Sequence, residues 1–225
     1  SIVQEYVYDK LSIPFTVNKT YFIPKSVGAD TLFIACSYSG NTEETLMAVR
    51  EAFKRKATVV CICSGGELET FAKKHQLDLV LIPAGMPPRA CLGYSLVQLL
   101  QVLKKAGLLK TRFEPEIEAA ILKVKRDTKK IQTQAAKIAG LLHGRHIALY
   151  GIAGQERLLV RFRQQLNENS KVLCWHNVIP EMTHNEIVGW RAAHDDVADL
   201  FCYRQTDYGC KIRRRGRFKK KRKKY

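Results

Sequence analysis

Short, almost unbroken apolar runs alternate along this chain with stretches in which apolar residues recur every three or four positions. Residues 13–18, 31–36, 58–63 and 79–82 are runs of the first kind, rich in β-branched side chains. They predict parallel strands covered on both faces. Residues 42–56 and 67–75 carry the helical period, and residues 89–106 form a longer apolar helix introduced by the turn Gly85-Met86-Pro87-Pro88. Strand and helix in alternation predict an α/β sandwich.

Residues 114–142 read as one long amphipathic helix rich in Lys and Ala, and a second series follows it. A strand at 146–150 leads into the glycine-containing loop 151–154, then a helix at 155–169 and strands at 171–175 and 197–203. The expected organisation is a first unit over 1–112, a linking helix over 113–143, a partial second unit over 144–203, and a basic, disordered or aberrant tail over 204–225. The opening residues Ser1-Ile2-Val3-Gln4 read as the end of a helix already under way, so a preceding segment is expected.

The chain has 225 residues, 46% of them hydrophobic, enough to bury a core in one large unit or two small ones. No run approaches the ~20 apolar residues of a membrane helix. Seven cysteines with no C-x-x-C pair point to reduced, buried thiols in a cytosolic protein rather than a disulfide or zinc framework. Cys61 and Cys63 lie in one predicted strand and are read as facing opposite sides of the sheet. The formal net charge is +17, but eleven of the 38 Lys and Arg lie in residues 211–225, which contain no acid. The body is therefore mildly basic, as suits a protein that handles anionic metabolites. Only the tail would hold a nucleic acid.

Candidate chemistry is densest at Cys36-Ser37-Tyr38-Ser39-Gly40-Asn41-Thr42, where a strand ends and a helix begins. The first-turn N–H groups of a helix lack internal partners, and the helix dipole adds partial positive charge there. Three hydroxyls and a glycine at that point suit a phosphate group. The competing reading is a helix cap, with Asn41 and Glu44 in the capping-box pattern. A second segment, Pro180 to Trp190, gathers Glu181, His184, Asn185 and Glu186 between apolar anchors. Thr183 and Glu186 also fit a capping box. The alternative is that Glu186 is partly desolvated, its pKa raised, and that it acts as a base for a carbon-bound proton. Arg89 stands at the start of a helix, where a cation is disfavoured unless it is exposed or meets an anion.

Together these segments resemble the bifunctional phosphoglucose/phosphomannose isomerase family, built from tandem sugar isomerase (SIS) domains. The resemblance covers about residues 5 to 200. It rests on Ser37 to Thr45, on Gly85 to Tyr94, and on Pro180 to Trp190. It implies two SIS-type three-layer α/β/α sandwiches with parallel sheets, the second incomplete. It implies aldose–ketose isomerisation of glucose or mannose 6-phosphate and fructose 6-phosphate through a cis-enediol, in a cytoplasmic homodimer. Neither a cofactor nor a metal is called for. Ser37, Ser39 and Thr42 would hold the phosphate, Arg89 would stabilise the enediolate, and Glu186 would move the proton between C1 and C2. A histidine after the glutamate opens the sugar ring in this family, and here the next one is His194. The family's N-terminal strand and Gly-Ser-Gly loop have no counterpart before Ser1, and its catalytic lysine lies in a continuation beyond this sequence. Weak or absent turnover with phosphosugar binding retained is therefore expected. A non-catalytic phosphosugar-binding SIS module is the alternative. The tail from Lys211 to Tyr225 looks unlike the family, and a shifted reading frame is the expected explanation, ahead of a disordered arm for anionic surfaces.

Overall fold

The computed structural model describes residues 1–190, 197–202 and 210–213, and side chains only as far as residue 190. The chain divides into two units, Ser1–Phe113 and Glu114–Tyr225.

In the first unit a short helix, α1 (Ile2–Tyr6), precedes β1 (Leu32–Cys36), α2 (Glu43–Lys54), β2 (Thr58–Cys63), α3 (Gly66–Lys74), β3 (Asp78–Leu81) and α4 (Leu92–Lys105). The strands form a parallel sheet in the order β1-β2-β3. Strand β2 is central and has the most continuous apolar run, as burial on both faces requires. Its Val59, Cys61 and Cys63 pack with Ala35, with Leu46, Val49 and Ala52 of α2, and with Leu68 and Ala72 of α3. Its Val60 and Ile62 turn the other way, toward Leu99 and Val102 of α4. A helix layer therefore covers each face. Cys61 and Cys63 share one face, contrary to the sequence reading, because residues two apart on a strand point the same way. Both are buried, and burial pushes the Cys61 thiol up to about 11, so it stays protonated at neutral pH.

Residues 13–18, expected as a strand, are extended but join no sheet. They lie across a cavity of about 830 Å³ that residues 13–19 line together with Leu32–Cys36 of β1. Among the described residues β1 pairs with β2 alone. The main-chain bonds from Thr58 N to Thr31 O and from Ser37 N to Ile62 O set the phase of that pairing. By alternation, Leu32, Ile34 and Cys36 turn their N–H and C=O groups to the side away from β2.

In the second unit α5 (Glu114–Leu142) leads to β4 (His146–Ile152), α6 (Glu156–Gln165), β5 (Cys174–Ile179), two single-turn helices α7 (Glu181–His184) and α8 (Glu186–Gly189), and the strands β6 (Val197–Cys202) and β7 (Cys210–Arg213). The sheet order is β5-β4-β6-β7. Strand β4 is parallel to both neighbours, but β7 runs antiparallel to β6, so the expected all-parallel sheet is mixed. Strand β7 also lies inside the segment expected to be disordered. Strand β5 starts three residues later than expected because Lys171 takes a left-handed conformation after the π-turn Leu166–Ser170. Ile147 and Leu149 of β4 pack with Leu142 and with Leu159 of α6. Ala148 and Tyr150, on the opposite face, pack with Met182, Ile187 and Trp190. No helix among the described residues is long and apolar enough to cross a membrane.

Candidate functional site

The serine-rich turn occupies the C-terminal end of β1, as its sequence requires. Ser37 is buried, and its Oγ shares a 2.8 Å hydrogen bond with Thr42 Oγ1 while accepting one from Gly40 N at 3.1 Å. Thr42 is the N-cap of α2, yet its side chain makes no capping bond. The capping box read from Asn41 and Glu44 is not formed either. Asn41 Oδ1 instead accepts from Glu67 N at 2.9 Å, at the start of α3. The hydroxyl face of the turn is thus not consumed in capping its own helix, and a phosphate is the group such a face suits. Ser39 is exposed, and its Oγ accepts from Asn41 N at 3.2 Å. Glu43, an acid in the first turn of α2, receives a hydrogen bond from Tyr21 Oη at 3.2 Å.

A second loop braces the turn from behind. Ser64 donates through both N and Oγ to Tyr38 O, at 2.9 and 2.6 Å, and Leu68 N donates to Gly40 O at 2.9 Å. Asn41→Ala is expected to remove the α3 cap and cost about 1 kcal/mol. A lower urea midpoint with unchanged slope is the check.

Arg89 lies in the 3₁₀ turn Pro88–Ala90 ahead of α4 and is exposed. Tyr38 ties that loop to the serine-rich turn: its Oη donates to Pro83 O at 3.1 Å and accepts from Met86 N at 3.1 Å. Within the first unit, Ser37 and Thr42 meet directly, and Tyr38 links their turn to the loop that carries Arg89.

In the second unit the capping box expected at Thr183–Glu186 is absent. Thr183 Oγ1 donates to Pro180 O, and Asn185 caps α8 through Glu186 N. The Glu186 carboxylate turns inward to the sheet, where three side chains hold it. Tyr150 Oη donates to Oε1, Trp175 Nε1 donates to Oε1 at 3.0 Å, and Asn177 Nδ2 donates to Oε2 at 2.7 Å. The register explains the gathering: Tyr150 stands opposite Asn177 and Ala148 opposite Trp175 on adjacent strands, with one face in common.

Burial alone would raise the Glu186 pKa, as expected from sequence. The donors from Tyr150, Asn177 and Trp175 outweigh it, and the carboxyl lies below its ordinary value. Glu186 is therefore a fixed, ionised carboxylate at neutral pH, able to accept a proton. Burial, with Glu186 beside it, holds the Tyr150 phenol above its usual range, so it remains a donor. Tyr150, Trp175 and Asn177 were not singled out from the sequence. Their signal was present in polar-tipped residues at alternating positions of otherwise apolar strands. His184 is exposed, and His194 lies outside the described residues.

Comparison with known proteins finds a family match in each unit. Residues 23–84 match the SIS domain, and residues 131–222 match the bacterial phospho-glucose isomerase C-terminal SIS domain. The C-terminal domain of glucosamine-fructose-6-phosphate aminotransferase from Francisella tularensis superposes with a TM-score of 0.67 at 16% identity, over 89% of this chain and 59% of that one. The fold is that of a SIS-domain protein.

Two curated relatives narrow the class. The chain is 38% identical over 197 residues to the bifunctional phosphoglucose/phosphomannose isomerase of Caldicellulosiruptor bescii, covering 84% of this chain and 58% of that one. It is 37% identical over 180 residues to the enzyme of the same name from Thermoplasma acidophilum, covering 79% and 54%. The chain belongs to the bifunctional phosphoglucose/phosphomannose isomerase family and spans a little over half the length of these relatives. The second match runs to residue 222, through most of the basic tail, where no likeness was expected.

Proposed function

We propose that this chain carries catalytic and phosphate-binding residues of a sugar-phosphate aldose–ketose isomerase, interconverting glucose or mannose 6-phosphate with fructose 6-phosphate through a cis-enediol. The observation that carries the reading is Glu186. It stands at a helix start, yet its carboxylate is drawn away from capping and held ionised by three side-chain donors. In the proposed reaction Glu186 takes the proton from C1 or C2 and returns it to the other carbon. Ser37, Ser39 and Thr42 bind the phosphate. The Arg89 guanidinium offsets the negative charge that develops on the enediolate oxygen. His194 is the proposed ring-opening acid. Glucose and mannose 6-phosphate differ only at C2 and pass through the same enediol, so one base serves both in a pocket that tolerates either orientation of the C2 hydroxyl.

The reading carries with it a reducing, cytoplasmic setting, in keeping with the buried thiols of Cys61, Cys63 and Cys91, and a homodimer. The test is incubation of the purified chain with fructose 6-phosphate in D2O. Deuterium at the exchanging carbon and slow formation of both aldose phosphates are expected. Phosphosugar binding without any exchange would assign the chain to the non-catalytic binding modules, and absence of both would overturn the proposal.

A further inference from the structure

The hydrogen bonds around Glu186 are not shared equally between its two oxygens. Oε1 accepts from Tyr150 and from Trp175, whereas Oε2 accepts from Asn177 alone among the described residues. Each carboxylate oxygen has about two lone-pair sites. Oε1 is thus filled, and among the described residues Oε2 retains one open position.

The donors cannot reverse their roles. An indole N–H only donates, so Trp175 gives its proton to Oε1 and Trp190 gives its own to Tyr150 Oη at 2.8 Å. An ionised carboxylate only accepts, so the phenol proton of Tyr150 points at Glu186. The Asn177 amide is oriented as well, because its Oδ1 accepts from Val178 N at 2.8 Å, which turns the NH2 to Oε2. The result is a one-way chain from Trp190 through Tyr150 to Oε1.

We propose that Tyr150 is a positioning residue: with Trp175 it occupies Oε1 of Glu186 and leaves Oε2 as the oxygen that carries the substrate proton. This rests on the reading of Glu186 as the proton carrier. The clamp fixes the direction of the open lone pair and keeps the carboxylate ionised until substrate is present. Tyr150 itself transfers no proton.

The molecule supplies its own reporter. The chain has two tryptophans, Trp175 and Trp190, and both belong to this network. Their fluorescence, followed as a function of pH, reads the protonation of Glu186. In the unaltered chain the midpoint is expected below the ordinary glutamate value. Glu186→Gln should abolish that transition. Tyr150→Phe removes one donor and keeps the ring in place, and should raise the midpoint by about one pH unit, since a hydrogen bond to the charged form is worth roughly that much. The acid limb of the D2O exchange profile should move with it, with kcat lowered and KM unchanged.

Should Tyr150→Phe not fold, Trp175→Phe removes the other donor to Oε1, and its exchange profile should shift in the same direction. Unmoved midpoints and profiles in the variants that fold overturn the proposal. Full proton exchange by Glu186→Gln would instead overturn the role of Glu186, and the fluorescence shift would still show whether Tyr150 holds it.

Discussion

Glu186→Gln is expected to lower C1/C2 proton exchange by about 10²–10⁴-fold, the usual contribution of a positioned general base. Binding of fructose 6-phosphate, followed by calorimetry, should persist, because the hydroxyls proposed to hold the phosphate lie on Ser37, Ser39 and Thr42. The substitution conserves size, so the loss reads chemistry rather than packing. It also brings a local mismatch. The described side chains that bond the Glu186 carboxylate all donate to it, and a glutamine NH2 set against Asn177 Nδ2, now 2.7 Å from Oε2, would place donor against donor. The pH dependence follows from the depressed carboxyl pKa. Its contribution to stability is present above the unfolded value of about 4.5 and is lost as pH falls through the lower folded value. That part of the acid sensitivity should vanish in the glutamine variant. Exchange at the unaltered rate would remove Glu186 from the mechanism.

Gly40→Ala is expected to be the most destabilising single change in the first unit, by at least about 3 kcal/mol. Gly40 has φ of +70°, in the left-handed region, and a Cβ built there would sit 1.8 Å from Gly65 O. The obstacle is backbone, and that backbone is pinned by the bonds from Ser64 to Tyr38 O and from Leu68 N to Gly40 O. Neither loop can yield without releasing the other, so the serine-rich turn and the start of α3 should fail together. Gly85→Ala is the control. Its φ is +87°, but nothing lies within 4 Å of the added carbon, so only the conformational strain remains, about 1 kcal/mol. Urea midpoints of the two variants separate the clash from the strain. Equal midpoints would mean that the loops are not interlocked as described.

The elements were legible where one face or both faces of a segment were decided locally. Strand β2, with six successive apolar or small residues, and α5, with its long helical period, fall where the sequence places them. Residues 13–18 have the composition of a strand, but a strand also needs a neighbour, and the cavity beside β1 separates them from one. The two capping boxes failed for a related reason. Asn41 and Glu186 each sit in the correct pattern, but a distant partner offers a better bond: Glu67 N for the first, and Tyr150, Trp175 and Asn177 for the second. Local spacing cannot rank a partner 36 residues away against one three residues away. The sign of the Glu186 shift was missed on the same ground. Burial was foreseen from the apolar neighbours, and the donors that reverse its effect were not.

The residues of β1, Leu-Phe-Ile-Ala-Cys, are those of an interior strand, though β1 pairs on one side only among the described residues. Edge strands in soluble proteins are blunted by charge, proline or a bulge, and β1 carries no charged residue and no proline. Among the described residues the main-chain groups of Leu32, Ile34 and Cys36 therefore form an open template for strand addition. A strand added along that row would find its hydrogen-bonding partners already in register, and self-association of this chain, growing with protein concentration, is the expected outcome of such pairing.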